Sequence, residues 1–258
     1  MKIIFHEKFY NSRYAGDPAA APGRLESIMD YLLSKGDAYE ILSPVAATEE
    51  DILRAHTKEH FEEIKREKLL YEMSALAAGG AILCAQEAYK GTPSFAVIRP
   101  PGHHASASSC WGFCFFNNMS VSLLKLFSEK KIQTAFILDF DLHYGDGNVN
   151  ILERKKDSFY VDIHNPDASS RSSYIQNVED HMKRLKNIDI FAASAGFDQG
   201  INDWGRLLNA EDYQTIGALM KKYSKKLCNG RRYAIFEGGY YHPDLGKHVD
   251  AFCSGFRD

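Results

Sequence analysis

Short runs of consecutive apolar residues recur along the chain and predict buried β-strands. Within each run the apolar residues are nearly continuous, whereas a strand with one face in water alternates apolar and polar residues. The runs lie at 2–5, 94–99, 134–139, 158–163, 188–194 and 232–237. Strands that are buried on both faces are typical of a parallel sheet that helices cover on both sides.

Amphipathic segments lie between these runs and predict helices. Residues 24–35 place Leu25, Ile28, Met29 and Leu32 on one stripe, as a helix that packs on a sheet requires. Further helical patterns lie at 72–90, 117–130, 177–186 and 209–228.

Local signals and chain length complete the prediction of the fold. Thr48, followed by Asp51 three residues later, resembles a capping box that opens another helix. The alternation of strands and helices predicts a doubly wound α/β fold. The chain has 258 residues, with no internal repeat and no linker rich in Pro, Gly or Ser. We therefore expect a single domain over residues 1–258.

Composition indicates a large core and argues against two classes of partner. Of the 258 residues, 45% are hydrophobic, and the formal net charge is −3. Nucleic acids and anionic membranes both select clustered positive charge, so we expect neither as a partner. The basic clusters at 154–156 and 221–222 are expected to be solvated helix faces. The oligomeric state is left open.

The cysteines and the N-terminus favour a cytoplasmic location. The five cysteines form no CxxC pair, and their odd number favours reduced thiols. Residues 1–6 are predicted to form a first strand rather than a signal peptide. No apolar run is expected to approach the roughly 18 residues that a membrane helix needs.

Chemically capable residues follow directly after four of the predicted strands. In a parallel α/β sheet, ligands bind outside the carboxyl ends of the strands, so loops at these ends can converge on one crevice. The four segments are 100–104, 139–146, 195–198 and 237–240.

The first of the candidate chemical motifs is Asp139-x-Asp141-x-His143. Alternate residues of an extended segment point the same way, so Asp141 and His143 can face one cation. Asp198 is the best candidate for a third ligand from another loop. One imidazole with carboxylates suits zinc better than magnesium or calcium. Such a motif alone is more often an ordinary loop, but the three other segments favour a metal site.

A histidine pair and a glycine-flanked tyrosine are candidates for acid–base and oxyanion roles. His103 and His104 follow Pro100-Pro101-Gly102, and a histidine beside a metal-bound water can take its proton and later protonate the leaving amine. Asp139 and Asp146 can each orient one imidazole. Tyr240 after two glycines can donate to a developing oxyanion.

The aromatic-rich segment 111–118 is predicted to wall an apolar tunnel just beyond the histidine pair. Phe115 and Phe116 are expected in the core, and Asn117 or Asn118 is expected to cap the next helix. Glu237 is expected to support its own loop through hydrogen bonds.

Taken in order, these motifs resemble the histone deacetylase superfamily, which includes the bacterial and archaeal acetylpolyamine amidohydrolases. The resemblance rests on residues 99–105, 112–118, 138–147, 194–198 and 237–240. Weaker similarity extends to 22–25 and 55–57, so that essentially the whole chain is covered. The resemblance implies an arginase–deacetylase fold with a central parallel sheet.

The resemblance also implies a role for each candidate residue. Zinc would be held by Asp141, His143 and Asp198. His104, paired with Asp146, would be the general base and acid, and His103, paired with Asp139, its electrostatic helper. Tyr240 would polarise the scissile carbonyl. Gly112 and Phe113 match positions that line the acyl-lysine tunnel, and a potassium ion is expected near Asp139, Asp141, His143 and Asp162.

Two departures from the family pattern affect these expectations. Asp162 stands where a serine commonly helps to hold the potassium ion, and its carboxylate can either strengthen or alter that cation site. Residues 165–173 replace a segment that normally carries an aromatic tunnel wall, and they are mostly polar. We therefore predict an open, polar-sided entrance that suits a small or bulky non-protein acyl-amide.

The predicted function is that of a metal-dependent amidohydrolase that removes an acetyl or other acyl group from an amine. Acetyl-lysine, an acetylpolyamine and a small acetamide are all compatible substrates, and zinc is not distinguished from iron(II). Two alternatives remain. One is a binuclear-metal ureohydrolase of the arginase type, and the other is a non-catalytic homologue that binds acylated ligands.

Overall fold

A computed structural model describes residues 1–153 and 158–258 of the chain. The predicted basic cluster at 154–156 lies outside the described residues. Within the described residues, seven parallel strands form one sheet in the order β2-β1-β3-β7-β6-β4-β5. The strands are β1 Lys2–Ile4, β2 Glu40–Leu42, β3 Ser94–Ala96, β4 Thr134–Asp139, β5 Tyr160–His164, β6 Ile190–Ala195 and β7 Arg232–Phe236.

Helices cover the sheet and complete the α/β architecture that the sequence predicts. Those in the described part of the chain are α1 Arg24–Leu33, α2 Glu49–Leu53, α3 Lys58–Lys65, α4 Lys68–Tyr89, α5 Asn118–Ser128, α6 Asp146–Leu152, α7 Arg171–Arg184, α8 Ala210–Cys228 and α9 His242–Phe256. The predicted Thr48–Asp51 capping box opens α2, and Asn117 caps α5. All five cysteines are unpaired.

The six predicted strands are all present, whereas β2 and three helices were not predicted from the sequence. β2 is a three-residue strand at the edge of the sheet, where Glu40 and Ile41 are exposed, so it carries no buried apolar run. The missed helices are α3, α6 and α9. Helix α7 begins at Arg171, earlier than the predicted start at residue 177, because Ser170 caps it.

Helix α4 differs from the expectation that no segment approaches a membrane span. It has 22 residues, and its most apolar 18-residue window has a mean hydropathy of 1.3, which meets the length and composition of such a span. However, 61% of that window is buried inside the fold. Helices with many small apolar residues are typical of a protein core, and α4 packs so closely that a Cβ on Gly79 would lie 1.9 Å from the Val45 carbonyl oxygen.

Strand register brings the carboxyl ends of the central strands to one edge of the sheet. Asp139 at the end of β4 pairs with Ser194 of β6, and Ala195 of β6 pairs with Phe236 of β7. The residues that follow these strands therefore start from neighbouring points. Helix α9 leaves this edge directly after the segment 237–240 and packs against α8 and α1.

Replacing Gly217 with alanine tests the close contact between α8 and α9. In a helix, glycine is normally about 1 kcal/mol less favourable than alanine, so propensity alone predicts that Gly217→Ala stabilises the protein. A Cβ at Gly217 would lie 2.2 Å from the Phe252 carbonyl oxygen, and we expect overpacking to lower the free energy of unfolding by about 1–3 kcal/mol. Urea denaturation measures the change. Ala218→Gly at the exposed neighbouring position is the control, and stabilisation by Gly217→Ala would contradict the expected contact.

Candidate active site

Four of the predicted site residues, His103, His104, His143 and Tyr240, line one cavity of about 320 Å³ at the carboxyl edge of the sheet. The predicted aspartates contact these histidines: Asp139, Asp141, Asp146 and Asp198. The walls of the cavity come from loops that follow β3, β4, β6 and β7. The lining residues are Pro101, His103, His104, Trp111, Gly112, Phe113, His143, Trp204, Gly238 and Tyr240.

Asp141, His143 and Asp198 form a cluster with the composition of a metal site. Their candidate ligand atoms all lie within 4.8 Å of one another. The Nδ1 atom of His143 lies 3.1 Å from Asp141 Oδ1 and 3.1 Å from Asp198 Oδ2. Asp198 Oδ2 is buried and accepts no hydrogen bond from the described part of the chain. Such a buried, unsatisfied carboxylate oxygen beside an imidazole nitrogen fits a cation.

Backbone groups fix the two carboxylates of this cluster. Asp141 Oδ2 accepts a hydrogen bond from the Gly238 amide at 2.8 Å, and Asp198 Oδ1 accepts one from the Leu142 amide at 2.9 Å. A Cβ on Gly196 would lie 2.3 Å from Asp141 Oδ2, so only glycine lets the backbone approach here. The ligand geometry is therefore set by the chain before any ion binds.

Electrostatics in the cluster favour an added positive charge. Burial and the Asp141 charge raise the pKa of Asp198 to about 7. Burial alone would raise the pKa of Asp141, but the His103 charge and hydrogen bonds from His143 lower it below its ordinary range. The hydrogen-bonded Asp141 carboxylate and the adjacent Asp198 carboxylate raise the pKa of His143 to about 10. The two carboxylates thus attract positive charge, which a proton on His143 or a metal cation can supply.

Each histidine of the pair has the acidic partner that the family resemblance implies. His104 Nδ1 lies 2.7 Å from Asp146 Oδ1, and His103 Nδ1 lies 3.3 Å from Asp139 Oδ2. Glu237 supports the segment beneath them, because its Oε2 accepts hydrogen bonds from the Gly102 amide at 2.6 Å and the His103 amide at 3.2 Å. The predicted supporting role of Glu237 therefore extends to the histidine loop.

The two imidazoles differ in their affinity for a proton. Burial would lower the pKa of His103, but the Asp141 and Asp139 charges raise it well above the ordinary value. Burial and the neighbouring His103 charge lower the pKa of His104 to about 4. His103 is therefore the protonated member, and His104 is the member that is free to accept a proton.

Tyr240 lies on a loop that two buried side chains hold in place. Asp203 Oδ2 accepts hydrogen bonds from the amides of Tyr240 at 2.6 Å and Tyr241 at 2.7 Å. The buried Arg24 guanidinium donates to the Gly239 carbonyl at 2.8 Å and to the Glu237 carbonyl. Asp203 carries no sequence signal that marks this role, whereas Arg24 belongs to the segment 22–25 with weaker family similarity.

The cavity walls correct the prediction of a polar-sided entrance. Gly112 and Phe113 line one side, as expected, but none of residues 165–173 is among the lining residues. The other side carries Trp204, whose ring stacks on Tyr240 with centroids 4.0 Å apart. The polar side chain of Ser170 instead begins α7, where it forms a capping box with Ser173. Polar residues serve both as helix caps and as the walls of an entrance, so the composition of 165–173 alone did not distinguish these two roles.

Asp139 can contribute an oxygen ligand to the expected potassium site, whereas the Asp162 carboxylate is already bound by another side chain. Asp139 Oδ1 is buried without a hydrogen-bond partner in the described residues, so an oxygen ligand for a cation is present there. The Asp162 carboxylate, in contrast, is engaged by His181 Nε2 at 2.6 Å. A cation beside Asp139 therefore stays a prediction, and the strengthening role considered for Asp162 is not supported by this geometry.

A second group of ligand-type residues lies beneath the histidine pair. Ligand atoms of His103, Cys114 and Glu237 also fall within 4.8 Å of one another, and all three residues are buried. Burial raises the pKa of Glu237 to about 7. His103 Nδ1 already pairs with Asp139, and Glu237 Oε2 already binds two amides, whereas Glu237 Oε1 has no hydrogen bond within the described residues. The Asp141–His143–Asp198 cluster offers two carboxylates to one cation and this group offers one, so the first cluster is the better metal site.

Comparisons with known proteins agree with this geometry. A family model described as histone deacetylase domain matches residues 19–171. The "Probable deacetylase" of Archaeoglobus fulgidus is 27% identical, with 92% of this chain and 80% of that protein covered. The "Histone deacetylase-like amidohydrolase" of Pseudomonas aeruginosa is 24% identical, with 91% and 75% covered. The "Polyamine deacetylase HDAC10" of Danio rerio is 28% identical, with 96% of this chain but 46% of that protein covered.

Among solved structures, the HD domain of HDA15 is similar in fold. It superposes with a TM-score of 0.81 over 98% of this chain and 89% of that domain, at 21% sequence identity. Other relatives are longer than this chain: the match spans 54% of the probable deacetylase of Methanothermobacter thermautotrophicus and 29% of yeast HDA1.

Metal titration tests whether the Asp141–His143–Asp198 cluster is the ion site. Metal-free protein titrated with Co²⁺ in a calorimeter is expected to bind one ion per chain. His143→Ala and Asp198→Ala should each weaken binding by more than the roughly 10- to 100-fold that loss of an outer-shell partner costs. His181→Ala is the control, because its imidazole pairs with Asp162 outside the cavity. Two ions per chain would contradict a mononuclear site and favour the alternative hypothesis of a binuclear-metal ureohydrolase.

Proposed function

The chain belongs to the histone deacetylase family, and on that premise we propose that it is a zinc-dependent amidohydrolase that removes an acyl group from an amine. One observation carries the proposal: His143 of the metal-type cluster, His104 of the His104–Asp146 pair and Tyr240 all line a single cavity. The names of its relatives indicate deacetylase chemistry, while the metal and the substrate are our inference.

Asp141, His143 and Asp198 would hold the zinc ion. One imidazole and two carboxylates at this spacing match the three protein ligands of a catalytic zinc site, with a further position left open. When bound there, zinc supplies a Lewis acid for the amide carbonyl and lowers the pKa of a water molecule.

His104 would move the proton during hydrolysis. Its pKa of about 4 leaves the imidazole neutral near pH 7, and Nδ1 faces Asp146, so Nε2 is the nitrogen available to accept a proton from water. The water oxygen bonds to the carbonyl carbon, the C–N bond breaks, and the proton passes to the leaving amine. The products are a carboxylic acid, acetic acid in the simplest case, and a free amine.

Tyr240 and His103 would stabilise the negative charge that develops. Burial raises the pKa of Tyr240, so its hydroxyl stays protonated and can donate a hydrogen bond to the carbonyl oxygen. His103, protonated between Asp139 and Asp141, keeps positive charge beneath the site. A non-catalytic homologue would not need this complete set of groups, so catalysis is favoured over binding alone.

The Tyr240→Phe variant and a substrate panel test this function. Zinc-loaded parent protein is expected to release free amine from one class among an acetyl-lysine peptide, acetylated polyamines and small aryl or sugar acetamides. Tyr240→Phe should lower kcat by roughly 100-fold or more, as loss of an oxyanion donor commonly does. Chelation of the metal should abolish release, and zinc should restore it. A zinc-loaded parent that binds panel members but hydrolyses none would instead favour a binding homologue.

The Trp204→Ala variant tests the second wall of the cavity. Aromatic contacts are worth about 0.5–1.5 kcal/mol beyond the buried area, so loss of this ring should raise KM about three- to tenfold. Trp204→Phe keeps a ring and should restore most of the affinity. Initial rates over a range of substrate concentrations separate KM from kcat. An unchanged KM in Trp204→Ala would show that the substrate does not contact this wall.

A further inference from the structure

Trp111, one of the two tryptophans in the chain, is half-exposed. Its exposed fraction is 54%, and it lines the cavity beside the histidine pair. A large aromatic side chain is normally buried to a greater extent, so its position requires a specific set of contacts.

The backbone after Trp111 turns its indole ring back over His104. Gly112 and Phe113 both adopt left-handed conformations, with φ of 59° and 66°, and the Cys114 amide donates to the Trp111 carbonyl at 3.0 Å. A Cβ on Gly112 would lie 2.4 Å from His104 Cδ2, so the loop is packed directly against the imidazole. Two successive left-handed residues, one of them not glycine, are costly, and the fold maintains them here.

The indole contacts both members of the proton-transferring pair. Trp111 Nε1 donates to Asp146 Oδ2 at 2.9 Å, while the other oxygen, Asp146 Oδ1, lies 2.7 Å from His104 Nδ1. The indole and imidazole centroids are 3.9 Å apart, with planes inclined by 34°. One oxygen of Asp146 is thus assigned to the imidazole and the other to the indole.

This contact matters because Asp146 is not itself buried. Its side chain is 40% exposed, whereas the side chain of His104 is 4% exposed. A carboxylate in contact with water can rotate and exchange partners, and it would then cease to orient the imidazole. The indole N–H fixes the plane of the carboxylate, and the indole ring covers the imidazole.

We propose that Trp111 is a positioning residue, which acts through Asp146 to hold His104 aligned for proton transfer. The inference rests on the proposed function. The competing role for Trp111 is that of a cavity wall alone, in which it contacts substrate independently of Asp146. The two roles predict different kinetics, because a positioning residue affects kcat and a wall affects KM.

A double-mutant cycle over Trp111→Phe and Asp146→Ala separates these roles. Phenylalanine keeps an aromatic face over His104 but has no N–H donor. We expect Trp111→Phe to lower kcat about tenfold, within the roughly 100-fold that misplacement of a catalytic group can cost, with KM within about twofold of the parent. In the Asp146→Ala background, the same change should lower kcat by less than about twofold, because the partner is already absent.

A surface variant and a stability measurement serve as controls for indirect effects of these substitutions on kcat. Tyr160→Ala removes an aromatic ring that is 53% exposed on β5 and is not among the cavity-lining residues, and it should leave kcat unchanged. Thermal denaturation identifies any variant that fails to fold. Equal losses from Trp111→Phe in both backgrounds, or a loss confined to KM, would overturn the proposal.

The indole N–H resonances test the contact without any turnover. The chain has two tryptophans, so a ¹⁵N–¹H spectrum shows two indole signals, and Trp111→Phe identifies one of them. Asp146→Ala should shift that signal, and Trp204→Phe should leave it in place. An unshifted signal would overturn the inference alone, with parent turnover intact. A zinc-loaded parent that hydrolyses no panel member would instead overturn the proposed function, and the positioning role with it.

Discussion

The interaction on which the site depends is the mutual repulsion of carboxylates that are buried at the end of a parallel sheet. Asp139, Asp141 and Asp198 are all buried, and each needs compensation for the loss of water. Backbone amides and the neighbouring imidazoles supply part of it. Asp198 Oδ2 and Asp139 Oδ1 remain without hydrogen bonds in the described residues, and a bound cation would complete the compensation. The chemistry that we propose follows from this requirement.

The loops around these carboxylates are tied to one another by buried polar groups rather than by apolar packing alone. Glu237 binds the amides of the histidine loop, Arg24 binds the carbonyls of the tyrosine loop, and Asp203 binds the amides of that same loop. Each tie joins residues that are distant in the chain, so the cavity is assembled only when the whole domain folds. Residues that are to act on one substrate are thereby preorganised, which is the condition for efficient electrostatic catalysis.

Sequence reasoning succeeded where a single physical signal dominates. Continuous apolar runs identify buried strands, and residues from separate predicted motifs, His104 and Tyr240, line one cavity. It failed where one composition serves two purposes: the polar run that contains Ser170 caps α7 instead of lining an entrance. Trp204 and Asp203 reach the cavity through tertiary contacts that no local pattern encodes. The short edge strand β2 lacks a buried run because one side of it faces solvent.

The most direct test of the central claim is the position of the ion itself. Crystals grown with zinc and measured at the zinc absorption edge give an anomalous difference map that locates the metal without assumptions. We predict one strong peak per chain, within bonding distance of His143 Nδ1 and one oxygen each of Asp141 and Asp198. A peak at the His103–Cys114–Glu237 group, a pair of adjacent peaks, or no peak in the cavity would contradict the account.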